Sequence, residues 1–204
     1  MGKELETTIT INRVKKPGRV LLETGAIIIR GAHARRAAFG EMQDLAVARG
    51  ALRFGHRGDA VSIALGDAAA AWLEAIRNPR TRMQKLGAAP GLSVCVLGPA
   101  ETDALSEIAL ATGEKPGRRL KKQNDLVLLF APEPADLGAL TTIEPSLAAK
   151  GAVWVLWPKG RKDFAHQDVV AAGKRAGLSQ TKSMGFSPVY TGLRLVRAAK
   201  KVKA

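Results

Sequence analysis

Apolar and polar positions follow two different rhythms along this chain. Up to about residue 66 they come in short runs separated by turn signals. Thr7-Thr8-Ile9-Thr10-Ile11 is β-branched throughout, and alternation puts Ile9 and Ile11 on one face of a strand. Lys15-Lys16-Pro17-Gly18 reads as a turn. Arg19 to Glu23 and Ala26 to Arg30 flank Thr24-Gly25 as a hairpin. Short strands follow at 36–39, 44–49, 51–54 and 61–65, the last after the turn Arg57-Gly58-Asp59. The helix Asp67 to Ile76 comes next. Asp67 stands at its N-cap, and Ala69, Trp72 and Ile76 share one face. A short helix with one large aromatic needs a concave surface to cover, so a small all-β barrel or sandwich closed by this helix is expected.

Beyond residue 92 the rhythm changes. Ser93 to Leu97, Asp125 to Phe130 and Ala152 to Trp157 are nearly continuous apolar runs, the mark of strands buried on both faces. Helices are expected at 102–112, at 134–150 with a break near Pro145, and at 166–175. An antiparallel pair over 183–186 and 193–196 closes the order. Strands alternating with helices predict a mainly parallel α/β sheet with helices on both faces. The domains are then a β-rich module over 1–80, a small α/β domain over 81–198 and a basic tail over 199–204. Within the Pro/Gly-rich junction 78–91, Met83 to Leu86 form a candidate helical turn.

The chain carries 32 basic and 18 acidic residues, a formal charge of +14. Such a surface attracts nucleic acid or another polyanion. The excess is dispersed: residues 1–82 hold 14 basic and 8 acidic side chains, residues 83–204 hold 18 and 10. The single cysteine, Cys95, sits in the run Val94 to Leu97 and reads as a small buried hydrophobe. No apolar stretch approaches the length of a transmembrane helix, and the first ten residues lack a signal core. A cytoplasmic protein is expected.

Seven strands followed by a helix carrying Trp72 resemble a pleckstrin-homology-type barrel over residues 5–78. In the second half, four pieces resemble a bacterial family of domains of unknown function across about 82–198. They are Lys85-Leu86-Gly87 with 90–94, Asp125 to Leu129, Gly151 to Lys159, and Ala176 to Thr181 with Thr191 to Val196. The same pieces resemble, more distantly, class I methyltransferases that use S-adenosylmethionine. That resemblance implies a glycine-rich loop after the first strand and an acid at the end of the second. Here the loop is Leu97-Gly98-Pro99-Ala100-Glu101, with one glycine, and the acid's place falls in the basic run 118–122. A degenerate Rossmann-like fold without a cofactor is therefore expected.

Catalytic patterns are thin. His33, His56 and His166 have no metal-ligand spacing to one another or to Cys95, so no metal site is expected. His33 and His56 read as solvated. No nucleophile elbow or phosphate loop occurs. Glu101 and Asp103 flank a helix start, where the helix dipole accounts for them. The best location for a ligand is geometric, beyond the carboxyl ends of the strands at 98–101, 131–133 and 158–162. Lys159, Arg161 and Lys162 there, beside a helix N-terminus near Thr102, are candidate anion-binding residues. Lys15, Lys16 and Arg19, with Arg13, form a second candidate group where pleckstrin-homology-type domains that bind phosphoinositides carry cations. The tail from Arg194 and Arg197 to Lys200, Lys201 and Lys203 is basic and free of acids. The reading that results is a non-catalytic binding or interaction protein. The alternative is a methyltransferase of reduced size, with Glu101 and Asp125 as its only candidate polar groups.

Overall fold

The computed structural model describes residues 3–23 and 25–199. The chain divides into two compact units between Arg80 and Thr81. The first is one antiparallel sheet of seven strands: β1 (Lys3–Ile11), β2 (Val14–Leu22), β3 (Ala26–Gly31), β4 (Arg35–Ala38), β5 (Gln43–Ala48), β6 (Ala51–His56) and β7 (Asp59–Ala64). Their spatial order is β4-β3-β2-β1-β7-β6-β5, so the sheet curls as a half-barrel rather than forming two stacked layers. Helix α1 (Ala68–Arg77) buries Ala69, Trp72 and Ile76 against Ile9, Val20, Leu52 and Ile63. Asp67 precedes the helix in a helical conformation and its side chain makes no capping bond.

Two details differ from the expected strands. The first hairpin turns at Asn12 and Arg13, both at positive φ (46° and 72°), and Lys15 to Gly18 belong to β2. Asn tolerates the left-handed conformation, and the Asn12 side chain bonds across to the Ala60 N–H and Asp59. Pro17 is accommodated because pairing of β2 with β3 begins only at Gly18, so no ladder bond needs its missing N–H. Thr24 of the second hairpin signal lies outside the described residues, as do residues 200–204 of the basic tail.

The second unit opens with helix α2 (Arg82–Leu86), capped by a reciprocal Thr81–Gln84 box. Its sheet runs β11-β12-β10-β9-β8, from β8 (Val94–Leu97), β9 (Asn124–Phe130), β10 (Leu147–Pro158), β11 (Leu178–Gly185) and β12 (Tyr190–Arg197). β8, β9 and β10 are parallel to one another, while β12 and β11 pair antiparallel. The sheet is therefore mixed: the parallel strands β8, β9 and β10 are followed by the expected antiparallel pair, whose strands are each eight residues long. Helices α3 (Thr102–Thr112), α4 (Leu140–Ser146) and α5 (His166–Arg175) complete the unit. Residues 147–150, expected to continue a helix, are extended. Pro145 denies the helix a continuing N–H, and Leu147 pairs with Asn124.

Alternation along β10 divides the core. Val153, Val155 and Trp157 pack with Leu140, Ile143 and Val169, whereas Trp154 and Leu156 pack with Met83, Leu86 and Ile108. Trp154 and Trp157, three residues apart, thus face opposite sides of the sheet, as their spacing predicts.

Candidate functional site

The carboxyl ends of β8, β9 and β10 bring the segments 98–101, 131–133 and 158–162 to one end of the second sheet. Gly98 makes the turn out of β8 at φ +80°. A β-carbon there would stand 2.1 Å from the Phe130 carbonyl oxygen. The glycine is therefore required by the close approach of β9, whatever binds at the loop. Pro99 has no N–H, and the Ala100 N–H bonds back to the Gly98 oxygen at 3.0 Å. The loop presents no row of free donors.

Among the described residues, no further strand lies past β8. A single residue, Gly117, bridges it in parallel: its N–H bonds to the Val94 oxygen (2.9 Å) and its oxygen accepts from the Val96 N–H (2.8 Å). Arg118 follows at once and donates to the Gly98 oxygen at 2.7 Å. A guanidinium thus reaches the glycine loop, on the side where the methyltransferase resemblance calls for an acid. These residues do not fit S-adenosylmethionine well: the loop has one glycine, Pro99 offers no donor, the Ala100 N–H is spent on Gly98, and the neighbouring side chain is a cation rather than an acid.

Arg82, at the start of α2, organises the polar groups on this rim. It bonds to both oxygens of Glu107 (3.0 and 2.8 Å), to Asp103 (2.9 Å) and to Glu101 (3.4 Å), and lies over the Phe186 ring. Burial pulls the Arg82 pKa down, but the bonds to Glu107 and Asp103 outweigh it and raise the net value. Those bonds also hold the Asp103 carboxyl below its ordinary range. The Ser187 hydroxyl donates to Glu101 at 2.8 Å, and Lys159 Nζ donates to the Ser187 oxygen at 2.5 Å. Asp125 accepts from the Ser93 N–H, a backbone brace at the opposite end of the strands. No local pattern marks Arg82; its role depends on the fold bringing α2 beside α3.

The candidate cations are placed as follows. Arg161 is held by Glu133 (2.7 Å), by both oxygens of Asp163 and by the Pro132 oxygen (2.8 Å), which raises its pKa above the ordinary arginine value. Lys159 is tied to Ser187, while Lys162 is exposed without an ion pair among the described residues. In the first unit Arg19 pairs with Glu4 (3.2 Å) and Glu6 (2.9 Å) and lines an open groove of about 690 Å³ with Arg30, Pro17 and Gly18. Lys15 and Lys16 are exposed on β2 beyond it.

His56 is not solvated. It continues the inward alternation of Leu52 and Phe54, is 3% exposed, and bonds Glu41 at 3.0 Å. That bond holds the Glu41 carboxyl low. Arg35 bonds Asp59 at 2.9 Å nearby and depresses its carboxyl pKa likewise. His33 is half-buried beside the Val14 oxygen, and His166 is exposed. Among the described residues, no three His, Cys, Asp or Glu side chains gather as metal ligands would, and no helix is long and apolar enough to cross a membrane.

Cys95 is 1% exposed, and burial pushes its thiol pKa up. It should resist a colourless aromatic disulfide reagent in native buffer and react at once in denaturant. Fast native labelling, measured by thiolate release, would place it at the surface instead.

The arrangement is that of a small α/β unit with a five-stranded mixed sheet. Residues 106–199 match the family described as protein of unknown function (DUF3052). No curated protein matches the chain by sequence. Among solved structures, the chain is similar to an S-adenosylmethionine-dependent methyltransferase from Aquifex aeolicus, at 10% identity and TM-score 0.45, covering 55% of this chain and 86% of the other. It is similar to magnesium protoporphyrin IX methyltransferase from Synechocystis at 17% identity and TM-score 0.42, covering 57% and 78%. A proposed methyltransferase from Thermoplasma acidophilum aligns over 95% of this chain and 97% of its own, at 10% identity and TM-score 0.46.

Proposed function

We propose that this chain is a non-catalytic, cytoplasmic binding protein whose second unit keeps a methyltransferase-like sheet and fills the ligand end of that sheet with its own side chains. One observation carries the reading: the Gly98 oxygen accepts from Arg118, at the loop where an adenosyl cofactor would need free donors and an acid opposite. The two polar groups left to a methyltransferase are also engaged, Glu101 by Arg82 and Ser187, and Asp125 by the Ser93 N–H. An anion remains a suitable ligand for Lys159 and Lys162 at the rim and for Lys15 and Lys16 in the first unit. Arg161 and Arg19 would first have to give up their carboxylates.

Calorimetric titration with S-adenosylmethionine tests the reading. Each lost feature, the loop donors and the ribose acid, should cost on the order of 1–3 kcal/mol. Each 1.4 kcal/mol is about tenfold, so no binding tighter than about millimolar is expected. A micromolar dissociation constant at one site per chain would restore the methyltransferase reading.

A further inference from the structure

The loop joining α3 to β9 belongs to no candidate group described so far. Residues 115–124 hold five cations, Lys115, Arg118, Arg119, Lys121 and Lys122, and no acid. All five are exposed. Among the described residues, Lys115, Arg119, Lys121 and Lys122 have no ion-pair partner.

The loop is also fixed in place. Gly117 is bonded on both sides to β8, and Arg118 is anchored on the Gly98 oxygen. Gln123 takes a left-handed turn at φ +61°. Asn124, 1% exposed, donates to the Lys121 oxygen at 2.6 Å and to the Ser146 oxygen at 3.1 Å. That second bond brings the end of the loop beside the start of β10, where Lys150 is exposed as a sixth cation. A row of cations held by backbone bonds loses little freedom on meeting a polyanion.

We propose that this loop, with Lys150, is a binding surface for the phosphate backbone of double-stranded nucleic acid, contacted without regard to sequence. The proposal names the partner class of the binding protein proposed above. It can fail independently, since it concerns the free side of β8 and not the cofactor loop. A duplex suits the surface better than a single strand because base stacking needs exposed aromatic rings. The exposed large apolar residues among those described are Leu5, Val14, Leu110 and Val189, none of them aromatic. An anionic membrane is less suited. Leu120 packs against the core, and the exposed Leu110 stands on α3 with the exposed Glu114 just beyond the helix end, whose charge such a surface repels.

The test is fluorescence anisotropy of a labelled duplex DNA of mixed sequence, titrated with the whole protein at several salt concentrations. The variant Arg119→Gln/Lys121→Gln/Lys122→Gln removes three free cations and spares Arg118. Its control is Arg53→Gln/Lys174→Gln/Arg175→Gln, three exposed cations outside every candidate group, with the same loss of net charge. Matching thermal melts establish that both remain folded. The wild type should bind with a log–log salt slope that the loop variant makes shallower by about 2–3, at about 0.9 per lost phosphate contact. At low salt the loop variant should bind at least about tenfold more weakly, and the control should stay close to wild type. An unchanged slope in the loop variant, or equal losses in both variants, would overturn the proposal. Tighter binding to phosphatidylserine vesicles than to the duplex would overturn it too.

Discussion

Gly98→Ala should destabilise the second unit by about 3–5 kcal/mol, and Gly98→Val by at least as much. Two costs combine. The residue sits at φ +80°, where any side chain is strained. Its β-carbon would also lie 2.1 Å from the Phe130 oxygen and 3.1 Å from the Phe130 carbonyl carbon, both backbone atoms of a central strand. Backbone cannot swing aside as a side chain can, so β8 and β9 would have to part. Gly113 supplies the control. It ends α3 at φ +84° with nothing within 4 Å of its β-carbon site, so Gly113→Ala should cost only about 1 kcal/mol. Urea unfolding followed by tryptophan fluorescence separates the two, since Trp154 and Trp157 are both buried in this unit. Equal effects of the two alanine substitutions would show that Gly98 answers to conformation alone.

This glycine also shows why a motif can be seen in a sequence and misassigned. A glycine after a buried strand suits a cofactor's close approach and a neighbouring strand's close approach equally well. Only the position of Phe130 separates them. Much of the fold was legible for simple reasons. Period-two alternation marked β1, turn signals bounded β6 and β7, and unbroken apolar runs marked β8, β9 and β10. His56 was legible by the same alternation, since it follows Leu52 and Phe54 at even spacing. Its polar neighbours Arg57 and Gly58 obscured that. The Asn12-Arg13 turn was hidden by Lys-Pro-Gly three residues later, a stronger local signal that lost to pairing with β1. The strand starting at Leu147 was concealed because Ala148, Ala149 and Lys150 are good helix formers, and tertiary pairing with Asn124 overrides that preference.

The segments of the rim were legible, but the bonds between its charged groups were not. Arg82 stands alone in a junction of mixed composition, and its three carboxylates come from residues 19 to 25 positions further on. Nothing in a linear pattern distinguishes an arginine that will clamp three acids from one left in water. The Arg118–Gly98 contact is similar, spanning 20 residues. Both involve charged groups, whose partners are set by the assembled backbone and not by local periodicity. Apolar side chains announce their burial through spacing, whereas ion pairs at loop ends have no period to read.

The arrangement of the rim depends on Trp154, and Trp154→Ala should cost about 3–5 kcal/mol, the range for removing a fully buried large aromatic side chain. Trp154 is 0% exposed and donates its indole N–H to the Leu86 oxygen at 2.9 Å. That bond ties the last turn of α2 to the central strand. α2 carries Arg82 at its first residue, so the same indole positions the clamp on Glu101, Asp103 and Glu107. On its other side the ring lies against Gly192, where a β-carbon would come within 3.3 Å of it, and under the Lys182 ammonium. Trp154→Phe keeps most of the apolar volume and removes the donor. It should cost less, about 1–3 kcal/mol, because a buried carbonyl loses its partner. The two variants separate packing from anchoring. In Trp154→Phe, amide hydrogen exchange should quicken in residues 82–88 while β9 and β10 stay protected. Uniform loss of protection across the sheet would mean that the indole N–H has no anchoring role beyond packing, and that Arg82 is positioned by its carboxylates alone.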